Sequence, residues 1–230
     1  MLLNSITGAF AYFKNPWVGI FCLCLVLAYF TFLMTIRLAT ATAEDQDAAG
    51  PGCLTQFLGL FIQAFIIAAF ILLLLPILLR VDSGVSLQAV EPLGFVAIRS
   101  GLLAMIFVTV VTFFPWIGTF LAASPGMESF LIATLAFRFL SPLYLEALIG
   151  PGTQLQALYP SWGVSLIYLI LALVFTRMLL IFFTLVSRRT GSKDWVLQRI
   201  GPSVDILGGI LPFFMYAHYT AQNVQAVLSG

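Results

Sequence analysis

Residues 162–187 read WGVSLIYLILALVFTRMLLIFFTLVS, with Ser161 before them and Arg188-Arg189 after. A helix that crosses a bilayer needs about 20 mainly apolar residues. This stretch is longer than that and holds one charged side chain, Arg177. In hydrocarbon every backbone polar group must be satisfied within the segment, so the run is expected as a helix. It is too long for a barrel strand and lacks alternation of polar and apolar positions.

The same pattern recurs on both sides of it. Apolar runs near 17–36, 54–79, 95–121 and 127–149 precede it, and a shorter one near 204–219 follows it. Polar stretches separate them, the longest being RLATATAEDQDAAGPG from Arg37. The expected fold is all-α: one polytopic membrane domain over residues 1–230, with five or six transmembrane helices. Proline inside a span frees a carbonyl and kinks the helix, so bends are expected near Pro76, Pro115, Pro142 and Pro212. Gly208, Gly209 and Pro212 leave it open whether the last segment spans, re-enters or lies flat. Before the first span, Leu2, Leu3, Ile6, Phe10 and Phe13 recur at helical spacing. They predict an interfacial amphipathic helix over residues 1–14. No basic n-region or cleavage site makes it a signal peptide.

Composition agrees. Of 230 residues, 61% are hydrophobic and 8% charged, against roughly 25% charged in soluble domains. The net charge of +1 and the lack of a polybasic stripe argue against a nucleic-acid partner. Cys22 and Cys24 are two apart on a helix and point to different faces, which suits packing rather than a disulfide or metal pair. With His218 the sole histidine, neither a transition-metal site nor a bis-His haem site is expected. No cofactor is expected, while a bound lipid is allowed. The basic stretch 188–199 carries Arg188, Arg189, Lys193 and Arg199. By the positive-inside rule it belongs on the cytoplasmic or matrix-like side. PWVGIF from Pro16 and PWIGTF from Pro115, each followed by GPG, hint at a duplicated half. Pro-Trp and Gly-Pro-Gly are also ordinary chemistry at the ends of spans.

The few charges inside the spans are the candidate site. In MESFLIATLAFRFLSPLYLEALIG, residues 127–150, Arg138 is about 17 Å from either end at the rise of a helix. Arg177 is about 16 Å from Arg188 on the same count. Ionisable groups at such depth cost about 2.5–3.5 kcal/mol on insertion scales and normally face protein or water with a partner. Glu146, two turns after Arg138, is the one nearby acid, and His218 is a further candidate. These four could line an ion path or meet a partner chain or lipid headgroup, or they could be structural. Two deep cations against one acid call for a further anion. Gln56 and Gln63 share a face and are expected to make interhelical hydrogen bonds. Arg99 is expected to snorkel. Glu128 and Asp205 open their segments, where a helix N-terminus favours an anion.

No HExxH, GxSxG, Walker or GxGxxG motif occurs. Whether the chain is an enzyme stays open, with the balance against it. The expected function is a non-catalytic subunit of a larger membrane complex, in contact with lipids and other membrane subunits. The alternatives are a small ion or solute transporter with an Arg/Glu site at midplane, and a membrane-embedded lipid-modifying enzyme.

Overall fold

Long apolar runs bounded by proline, tryptophan and arginine become helices whose ends fall at those residues. The computed structural model describes residues 2–41, 53–81, 124–150, 154–191 and 194–229. Helix α1 covers Leu2–Tyr12, α2 Pro16–Ala41, α3 Cys53–Leu79, α4 Pro125–Ile149, α5 Trp162–Arg189 and α6 Asp194–Ser229, with a 3-10 turn at Leu155–Leu158. Among the described residues there is no strand, and five helices are long and apolar enough to cross a membrane. The chain is an all-α integral membrane protein. The expected span 95–121, with Arg99 and Pro115, lies outside the described residues, as does the polar stretch 42–52.

The last segment differs from its expectation. It forms one helix through Asp194–Ser229, well beyond 204–219. Its glycines are contact points rather than breaks. A Cβ at Gly209 would run into the carbonyl of Gly126, and one at Gly208 into the backbone of Thr176. Small residues at such positions let helix backbones approach closely, the usual basis of packing in a membrane.

Close approach makes α6 the hub, since it touches every other described helix. Of the apolar window in α6, 67% is buried, against 11% for α5, so α5 is the outer helix. Pairings fix the directions. Gly126 meets Asp205 and Gly209, and the Phe137 ring meets Phe213 and Tyr216, so α4 runs alongside α6 in the same sense. Thr176 meets Gly208 and Tyr168 meets Tyr216, so α5 runs the opposite way. Helix α1 packs on α6: a Cβ on Gly8 would strike the His218 ring, and Tyr12 stacks on Phe214 at 5.3 Å.

The bundle therefore has two ends. One carries Tyr12, Arg80, Arg138, Trp162 and Asn223. The other carries Tyr29, Gln63, Glu128, Thr176 and Asp205.

Candidate functional site

Arg138 sits on the α4 face that turns towards the start of α5, and the chain between these helices folds back to meet it. Three contacts pin that return. Ser141 bonds the Phe137 carbonyl within its own helix and the Tyr159 hydroxyl at 2.7 Å. Asn223 of α6 donates to the Leu158 carbonyl at 2.9 Å. Ser161 then caps α5, accepting from the Val164 N–H. Together they place Tyr159, Pro160 and Trp162 around the arginine.

The guanidinium lies 4.9 Å from the Trp162 ring centroid and 5.5 Å from that of Tyr159. Its Nη1 donates to the Tyr216 hydroxyl at 3.1 Å and makes a longer contact, 3.5 Å, to the Pro160 carbonyl. Sequence spacing puts Arg138 in mid-span. Its head group is nevertheless level with the first turn of α5, because that helix begins only at Trp162 while α4 continues past it to Ile149.

Two clefts meet at this side chain. The larger, about 890 Å³, is bounded by α4 and the return segment and lined by Arg138, Pro142, Glu146, Gln154, Gln156 and Trp162 among others. The smaller, about 200 Å³, follows the groove between α4 and α5 and is lined by Phe130, Leu131, Leu135, Leu166 and Leu169, with Arg138 and Trp162 at its mouth. The first offers charge and amides, the second hydrocarbon. Such a site can hold a molecule with an anionic head and an apolar tail.

The candidates are not one cluster. Arg138 and Glu146 share the larger cleft, with Glu146 exposed at its rim. Arg177 is fifteen positions along α5 from Trp162, a separation of about 22 Å, and belongs to the opposite end of the bundle. His218 is buried on another side of α6, against Gly8 and Tyr12. Gln63 is fully buried near Glu128, whereas the Gln56 side chain lies outside the described residues. Sequence reasoning missed Tyr159, Trp162 and Tyr216. Aromatic residues at a span boundary look like an interfacial belt, and only the returning loop shows that they frame a cation. It also missed Arg80, whose guanidinium lies 4.6 Å over the Tyr12 ring and donates to the Gly8 carbonyl at 2.8 Å.

No family model matches this chain, and no curated protein or solved structure matches it. Its function is therefore read from the site itself.

Proposed function

We propose that this protein is a non-catalytic subunit of a membrane assembly whose Arg138 cleft holds the anionic headgroup of a lipid-like amphiphile. One observation carries the reading: Arg138 stands where a wide, polar-rimmed cleft opens into a narrow apolar groove. Among the described residues, the contacts made to its guanidinium come from neutral groups, namely a phenol, a carbonyl and two rings. Cation–π contacts contribute about 0.5–2 kcal/mol each. They orient the charge without cancelling it. An uncompensated cation in this setting favours an anion, and an arginine fork suits phosphate or carboxylate. Glu146 lies two turns further on, about 12 Å along the helix axis, which leaves room for a headgroup between them. The outward apolar face of α5 supports a binding and assembly role over a chemical one. So does the lining of the cleft, which pairs no nucleophile with a base among the described residues.

Native mass spectrometry of the protein extracted in mild detergent tests the site. The wild type should retain an anionic phospholipid in preference to a zwitterionic one. Arg138→Gln should lose about tenfold of that preference, or about 1.4 kcal/mol, while Arg177→Gln should keep it. Equal retention by Arg138→Gln would remove the proposal. For the assembly role, the chain extracted from its own membrane should migrate with partner subunits. A monodisperse, stable single chain under those conditions would leave only the lipid site standing.

A further inference from the structure

We infer that the end of the bundle opposite Arg138 contains a cation site, in which Glu128, Asp205 and Gln63 bind a monovalent cation, Na⁺ or H⁺. The observation is a set of buried polar atoms, four oxygens and one amide nitrogen, left without partners. Gln63 is 0% exposed, Asp205 3% and Glu128 9%. Glu128 Oε1, Asp205 Oδ1, Ser129 Oγ and both polar atoms of the Gln63 amide make no hydrogen bond among the described residues. Buried polar atoms are nearly always satisfied, and exceptions call for a ligand, an ion or a functional cause. Gln63 faces the Glu128 carboxyl from α3 without closing a bond of normal geometry.

The two acids are not equivalent. Asp205 Oδ2 accepts from the Ser124 hydroxyl and from the Gly126 N–H, both at 3.0 Å. Asp205 thus caps the start of α4 from a neighbouring helix, where backbone donors and the helix dipole support its charge. Glu128 shares the dipole of that first turn, but its buried Oε1 accepts no hydrogen bond, and it is the group that needs neutralising. The surrounding groups are oxygen-rich: Gln63 faces Glu128 from α3, Tyr29 from α2 lies within electrostatic reach of both carboxyls, and Asp205 from α6 is held two residues away at Gly126. From α5, Thr176 packs against the same layer, next to half-buried Arg177. Hard oxygen donors without sulfur or imidazole suit an alkali cation or a proton rather than a transition metal. The site shares α4, α5 and α6 with the Arg138 cleft but none of its residues, so its fate is independent of that reading.

Thermal unfolding in detergent separates the two sources of charge. Na⁺ replaces choline at fixed pH in one series, and pH falls at fixed choline in the other. The wild type should gain about 5 °C in Tm at saturation with the ion that binds. A response to Na⁺ assigns the alkali ion, and a response to pH alone assigns the proton. Glu128→Gln, neutral and nearly isosteric, should be flat in both series. A wild type indifferent to both ions overturns the inference, and so does a Glu128→Gln variant that responds like the wild type. Should that variant fail to fold, the wild type still decides. A hydrophobic carbodiimide, which modifies protonated carboxyls out of water, should label Glu128, with the label lost on raising pH or adding Na⁺. Labelling that misses Glu128, or that neither ion affects, also overturns it.

Discussion

Arg80 shows how one side chain can justify an unfavourable backbone. It ends α3 in the left-handed region, with φ 55°, where a non-glycine residue costs roughly 1–2 kcal/mol. That turn aims its guanidinium back over Tyr12 and onto the Gly8 carbonyl, tying α1 to the end of α3. Tyr12 completes the tie by donating to the Leu78 carbonyl at 2.7 Å. Tyr12→Phe should therefore cost about 1–3 kcal/mol, because it leaves a buried carbonyl unsatisfied. Thermal unfolding would register this as a drop of several degrees. Burial pushes the Tyr12 phenol up to about 12, against the opposing pull of Arg80. The folded state thus holds the proton more tightly than the unfolded state, so this contribution is complete below pH 10 and is lost as pH climbs towards 12. The ultraviolet difference titration of wild type against Tyr12→Phe should show the missing phenolate appearing near pH 12 and not near pH 10. Arg138 was legible in the sequence because a charge inside an apolar run is conspicuous. Its aromatic frame was not, since Tyr216 is 78 positions away.

Helix α6 shows why composition misjudges a segment. Glycine and proline weaken an isolated helix, which is why Gly208, Gly209 and Pro212 left open whether this segment spans. In the bundle the missing side chains admit the Gly126 carbonyl and the Thr176 backbone, and packing at that short range outweighs the weak helix propensity. Gly209→Ala should cost about 1–3 kcal/mol through overpacking, lowering Tm by about 2–4 °C per kcal/mol. Gly163→Ala, in α5 with nothing near its Cβ position, should leave Tm unchanged or slightly raised. A similar penalty for both glycines would contradict the close approach of α4 and α6.

The arrangement of helices around α6 leaves α5 with most of its surface outside. Met178 is 61% exposed, while Ala172, about 120° round the same helix, is fully buried against the bundle. With the native cysteines replaced, Met178→Cys in membranes should react readily with a lipid-soluble thiol reagent, and Ala172→Cys should be at least about tenfold slower. Comparable rates would mean that α5 is rotated or dislodged. The same arrangement puts the two deep arginines of the sequence at opposite ends, about 22 Å apart along α5. It also answers each differently. Arg138 meets aromatic rings and a cleft, whereas Arg177 adjoins Thr176, whose layer holds Glu128 in the first turn of α4 and Asp205 within α6.

Length and apolar run determined the helical character of the described spans, though not the extent of α6, because a segment in hydrocarbon has no other way to satisfy its backbone. The conspicuous charges, Arg138, Arg177 and Glu146, were also plain along the chain, since few other residues interrupt the runs. Which of them share a site was decided only by packing. Helix direction and the return of residues 154–161 bring Tyr159 and Trp162 to Arg138, and glycine contacts bring Glu128 and Asp205 to one end. Those pairings join positions tens of residues apart through close backbone contact, and no local pattern of composition or period records them.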